Sequence, residues 1–167
     1  MSRGVALRRL SSVEVDLGAS HQREFHAGAL RRKLGFRVGT TSARALAAYC
    51  PSDGDILCED TGYTLYDARK PPRSEYHLYP ATRLFLDHAN AGDLLVILRT
   101  GAHDDLCIVV AERGSSMESS LLSTYLPSGA GALERFEFSE APVGLDLNSG
   151  SARSLVDIAH NLGFELS

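Results

Sequence analysis

Apolar and polar positions divide this chain into short segments of two kinds. Residues 94–98 (Leu, Leu, Val, Ile, Leu) form an unbroken apolar run between Asp93 and Arg99. Residues 101–105 then read as a turn, and residues 106–111 as a second apolar run, so the pair predicts a β-hairpin. Residues 5–10 predict a first strand, and residues 134–138 alternate as a short one. Residues 56–66 predict one strand, or two turning at Thr61-Gly62. Helical spacing is found at residues 27–34, ended by Gly35, and at residues 116–126, opened by serine. A last helix follows Ser149-Gly150-Ser151, with Leu155, Ile158, Ala159 and Leu162 on one face and Gly163 at its end. Residues 11–20 are polar and predict an exposed loop. Residues 67–74 are charged around Pro71-Pro72, which excludes a regular helix or a central strand.

Strands dominate, the helices are short and few, and no βαβ alternation occurs. This pattern predicts a β-rich α+β domain, and a partly open barrel is one arrangement that fits it. At 167 residues the chain is expected to form one domain over 1–167 and to bury roughly 70% of its unfolded surface. No apolar run approaches the roughly 20 residues of a membrane span. The first residues lack the apolar core of a signal peptide. Cys50, Cys58 and Cys107 have irregular spacings and no CxxC pair, so buried or half-buried free thiols in a reducing cytosol are expected.

The formal net charge of −4 at first argues against a nucleic-acid partner. Its distribution changes that reading. Residues 1–83 hold 13 of the 17 basic and 9 of the 21 acidic residues, a balance of +4, whereas residues 84–167 carry −8. Only Lys33 and Lys70 are lysines. Arginine suits bidentate recognition of phosphates and guanine edges, although a GC-rich genome would also favour it over lysine.

Catalytic motifs are missing. The [DE]-x-K pattern of common metal-dependent nucleases fails, because Arg31 and Ala68 stand two residues before the lysines. No phosphate-binding glycine loop, dinucleotide fingerprint or nucleophile elbow occurs. Asp53, Asp55, Glu59 and Asp60 form an acidic cluster, and His103-Asp104-Asp105 a polar turn; both read best as solvated surface. Two segments of the basic half are richer. Gly18-Ala19-Ser20-His21-Gln22-Arg23-Glu24 and Arg69-Lys70-Pro71-Pro72-Arg73-Ser74-Glu75-Tyr76-His77 mix donors and acceptors on irregular backbone. Base edges need such a mixture, whereas phosphates need only positive charge.

These segments carry a family resemblance. Arg8-Arg9-Leu10-Ser11 followed by Gly18-Ala19-Ser20-His21-Gln22 resembles the start of the N-terminal effector domain of EcoRII-type restriction endonucleases. Arg73-Ser74-Glu75-Tyr76-His77-Leu78 resembles that family's recognition segment, with Tyr76 and His77 in place of two basic residues. Ala91-Gly92-Asp93-Leu94-Leu95 and the closing helix continue the likeness in the same order. The resemblance implies a DNA-binding pseudobarrel of seven or so strands, open, with short helices at its ends. It implies two arms, residues 16–25 and 67–79, reaching into the major groove of a CCWGG-like duplex. His21, Gln22, Arg73, Glu75, Tyr76 and His77 are then the expected base readers, and Ser20, Arg23, Arg69 and Lys70 the expected phosphate contacts. No cofactor or metal is expected. The chain would be a monomeric, prokaryotic, cytoplasmic target-recognition domain without catalysis of its own, with a nuclease domain following in the parent protein. Two other readings stand beside it. One is a small metal-dependent hydrolase using the Asp53–Asp60 cluster; the other is a protein-interaction module using the acidic half.

Overall fold

Residues 94–99 and 106–111 are buried at every position, so the hairpin they form presents no face to water. The rest of the fold encloses it. A computed structural model describes residues 4–15, 24–69, 72–100, 103–140, 145, 150–164 and 166. In chain order the elements are β1 (Gly4–Arg9), α1 (Ser12–Val15), β2 (Phe25–His26), α2 (Gly28–Lys33), β3 (Thr41–Cys50), β4 (Leu57–Asp67) and β5 (Tyr76–Pro80). They continue as α3 (Leu84–His88), β6 (Leu94–Arg99), β7 (Leu106–Ala111), α4 (Ser116–Tyr125), β8 (Glu137–Ser139) and α5 (Gly150–Asn161). The strands form one sheet, ordered β2-β5-β4-β3-β7-β6-β1-β8. Every neighbouring pair is antiparallel except β3 and β7, which run parallel. The sheet curls into a half-barrel, a β-rich α+β fold.

Pleating distributes the core over two layers. Leu7, Leu46, Leu94, Val96 and Val109 point to one face, where Met117, Leu121 and Tyr125 of α4 and Leu155 and Ala159 of α5 cover them. Ala45, Ala47, Leu95, Ile97 and Ile108 point to the concave face. There they meet Leu30 of α2, Phe85 of α3, and Phe25, Leu65 and Leu78 from the far strands of the same sheet. Burying each large aliphatic side chain stabilises the fold by roughly 1.5–3 kcal/mol.

Local signals set the helix ends. Ser115 caps α4 by accepting a hydrogen bond from the Glu118 N–H at 3.1 Å. Glu118 in turn accepts from the Gly114 N–H at 2.9 Å and from Arg9, which ties α4 to β1. Gly35 and Gly163 follow α2 and α5 with φ of +74° and +82°, the left-handed geometry that glycine adopts without strain. All three cysteines are free; burial pushes the thiol of Cys50 up to about 12 and that of Cys58 up to about 11.

Several sequence expectations are corrected. The described sheet has eight strands, and α4 and α5 cover a sheet face rather than sit at barrel ends, because the central strands are apolar on both sides. Of the two readings of residues 56–66, the single strand holds, over residues 57–67, with no turn at Thr61-Gly62. Gly62 lies opposite Arg44, where a Cβ would approach the Ala43 carbonyl oxygen to 3.3 Å, so glycine permits a close strand approach here. Residues 12–15 are helical rather than loop. Ser11 and Glu14 form a capping box, in which Glu14 accepts from the Ser11 N–H at 2.9 Å. In the second predicted arm β4 reaches Asp67 and β5 begins at Tyr76, so among the described residues only 68, 69 and 72–75 lie outside strands.

Leu46, fully buried between the sheet and its helices, tests this layering against exposed Val38 (79% exposed). Leu46→Ala is expected to cost about 2–5 kcal/mol, whereas Val38→Ala stays within about 0.5 kcal/mol. Urea unfolding of both variants measures the contrast.

Candidate functional site

The half-barrel is open along a seam, and the seam is where polar side chains gather. Strands β4, β5 and β2 turn Leu65, Leu78 and Phe25 inward, so alternation turns Tyr66, His77 and His26 outward. Register places His77 directly opposite Tyr66 on β4 and opposite His26 on β2. Glu75, two residues before His77, and Glu24, two before His26, fall on the same face by the same period.

His77 is the hub. Its Nδ1 lies 2.7 Å from Glu24 Oε2 and its Nε2 lies 3.2 Å from Glu75 Oε1. Both partners are carboxylates, so an imidazolium donating from both nitrogens matches them best. Burial works against that charge, but the hydrogen bonds to Glu24 and Glu75 outweigh it and raise the His77 pKa above its ordinary value. The His77 hydrogen bond holds Glu75 below the usual carboxylate range, and Arg69 Nε, 2.5 Å from Glu75 Oε2, adds to this. The Tyr66 hydroxyl donates to Glu24 Oε1; that bond pushes the phenol up to about 12. Asp67 accepts from the N–H groups of Glu75 (2.8 Å) and Arg69 (3.1 Å) and is lowered by them, which pins the start of β5 to the end of β4.

Glu24, His26 and His77 line one side of a cleft of about 650 Å³. The other side comes from the opposite end of the sheet: Arg8, Glu14 and Phe136. Arg8 donates to both Glu14 oxygens, at 2.6 and 2.7 Å, and lies over the Phe136 ring at 4.6 Å. Arg9 donates to the Gly92 carbonyl oxygen at 2.9 Å and to Glu118. The Arg8-Arg9-Leu10-Ser11 motif thus serves packing in this fold.

The expected site residues fall into four groups. Ser20, His21, Gln22, Arg23 and Lys70 lie outside the described residues. Arg73 is exposed, and Arg69 is exposed while paired with Glu75. Glu75 and His77 come together at the start of β5, with both His77 ring nitrogens taken by carboxylates. Tyr76 is corrected from arm surface to interior: it is 6% exposed, its hydroxyl accepts from the Gly39 N–H at 2.9 Å, and Arg31 lies 5.0 Å from its ring. The Asp53–Asp60 residues do not converge. Asp60 pairs with Arg44 at 3.2 Å, Glu59 accepts from Thr82, and Asp53 and Asp55 are exposed before β4. His103 is exposed, and Asp104 pairs with Arg99. Sequence reading missed Tyr66 and His26, whose signal was their place on the polar side of alternating strands.

Fold and site together define a β-rich half-barrel domain with a carboxylate–histidine cluster on its open seam. No family model matches the chain, and no curated protein matches it. Among solved structures it is similar to the N-terminal domain of Helicobacter pylori LlaJI.R1, at 8% identity and a TM-score of 0.49, over 83% of this chain and 99% of that chain.

Glu14 provides a pH test of the seam. Burial raises its pKa, but the Arg8 and Ser11 hydrogen bonds prevail and the net shift is below the ordinary 4.5. A depressed carboxylate contributes stability that is present above the unfolded value and lost as pH falls through the lower, folded value. Glu14→Gln is therefore expected to cost about 1.5–3 kcal/mol at neutral pH. Its deficit should vanish on acidification below 4.5; urea midpoints of both proteins across that range check this.

Proposed function

We propose that this domain binds duplex DNA sequence-specifically through residues 16–23 and 68–75, as the target-recognition or effector domain of a restriction endonuclease. The observation that carries this reading is the convergence of both segments on His77. The first joins the sheet at Glu24 and the second at Glu75, and each carboxylate takes one ring nitrogen. Two polar segments that are unlike in sequence are thereby mounted on one rigid root. Rigid mounting lowers the ordering cost of binding. Two unlike arms also suit a monomer that meets the two halves of a pseudopalindrome.

Roles follow from exposure. Arg73, exposed in its segment, reads a guanine through O6 and N7. His21 and Gln22 donate to bases of the other half-site. Ser20, Arg23, Arg69 and Lys70 contact phosphates. Glu75 and His77 hold the geometry of the second arm. The motif resemblance names CCWGG as the first target to test, with cleavage left to a separate domain of the parent protein and the complex residing in a prokaryotic cytoplasm.

Arg73→Ala is expected to lose about 1–3 kcal/mol on a CCWGG duplex and to relax base preference. Equal losses on CCWGG and scrambled duplexes in a gel shift at physiological salt would remove its reading role, and a wild-type chain without preference would overturn the function. Lys70→Ala should weaken all duplexes alike and reduce the slope of log K against log salt by about 1. An unchanged slope would exclude a phosphate contact there.

A further inference from the structure

We propose that His26, Glu75 and His77 form a binding site for a borderline divalent transition-metal ion of the zinc class, bridging β2 and β5 at the seam. This does not rest on the DNA reading. Among the described residues these are the side chains whose ligand atoms gather closely enough to share an ion, all within 4.8 Å of one another. Glu75 Oε1 lies 3.2 Å from His77 Nε2 and 3.8 Å from His26 Nδ1. Tetrahedral zinc with bonds near 2.0–2.1 Å needs ligand–ligand edges of about 3.3 Å. The two edges on Glu75 already bracket that value. The remaining edge closes by rotation of His26, whose side chain is 76% exposed.

The surroundings have the organisation that a metal-binding histidine requires. Such a ligand donates its second ring nitrogen to a carboxylate, which selects the tautomer and orients the ring. His77 does this with Nδ1 to Glu24 at 2.7 Å, and Tyr66 donates to the other Glu24 oxygen. Nε2 is left facing Glu75 and His26, and the ion takes the place of its proton. Glu75 would use Oε1 for the ion while Oε2 stays with Arg69. Two imidazoles and one carboxylate favour zinc, cobalt or nickel over magnesium or calcium. His26 and His77 also line the 650 Å³ cleft, so a position of the ion remains open to water or to a small anionic ligand from that side.

Functionally the ion is a clamp. β2 contains only Phe25 and His26, and its pairing with β5 is the shortest among the described strands. A coordinate link between His26 and Glu75–His77 would fasten this edge where backbone hydrogen bonds are few.

The test uses the full, untagged chain stripped with chelator and titrated with cobalt(II), then with zinc(II) as competitor. One equivalent of cobalt should bind with micromolar or tighter affinity, show the visible bands of a four- or five-coordinate ion, and be displaced by zinc. His26→Ala changes an exposed residue and should keep its circular dichroism spectrum while losing at least about tenfold in affinity. Glu24→Gln, which keeps the three proposed ligands and removes the carboxylate that orients His77, should lose about 10–100-fold. Zinc should raise the thermal midpoint of the wild type and not that of His26→Ala. Absence of one-to-one binding, or a one-to-one ion retained with unchanged affinity in His26→Ala, overturns the proposal.

Discussion

The β6–β7 hairpin cannot show either face to water, and most of the architecture answers that constraint. Its residues are buried throughout, including Arg99, which donates to the Leu34 carbonyl oxygen at 2.6 Å and lies over the Phe36 ring. A sheet with apolar residues on both sides needs two covering layers. Helices α4 and α5 supply one. The sheet supplies much of the other itself, by curling until Phe25, Leu65 and Leu78 of its far strands reach the concave core. Curling brings the two ends of the sheet near one another without pairing them, and the cleft lined by His26 and His77 on one side and Arg8 and Phe136 on the other is the result.

The chemistry of the molecule collects where that curl remains open. Ion pairs in the described residues have structural work there, Arg8 with Glu14 and His77 between Glu24 and Glu75, while Arg9 with Glu118 ties α4 to β1 on the other layer. Such partly buried groups are matched because an unpaired charge in that setting would carry a large desolvation cost. The basic excess of the first half is therefore not all available to a partner. Arg31 packs on Tyr76, Arg44 spans Asp60 and the Leu162 carbonyl oxygen, and Arg73 is among the cations left exposed. A useful reading of surface charge has to subtract the arginines that the fold consumes.

The elements that could be read in advance are those whose partners lie nearby in sequence. Residues 94–111 identify their own hairpin; Ser115, Gly35 and Gly163 mark helix ends through local backbone chemistry. β3 could not be read this way. Ala43, Ala45, Ala47 and Ala48 favour helix by propensity, yet small side chains are what a central strand between two layers needs, and packing prevailed. Gly62 looked like a turn because the close approach of Ala43 is invisible without β3 beside it. At the site, Glu75 and His77 drew attention as part of a polar segment, and Glu24 as part of another. Their meeting, 53 positions apart for Glu24 and His77, was not legible.

By itself the sequence determined the β-rich composition of the fold, its central hairpin, three of its helices, and the two polar segments that interrupt it. Hydrophobic period and capping chemistry act over a few residues, so they are written locally. Tertiary structure alone decided that β2 pairs with β5, that His26 stands opposite His77, and that Tyr76 turns inward while its neighbours turn out. Period two says which residues of a strand share a face. It does not say which strand lies alongside, or in what register, and a shift of one residue would exchange the two faces. The carboxylate–histidine cluster is a property of that register, set by the burial of Phe25, Leu65 and Leu78 on the opposite side of the same three strands.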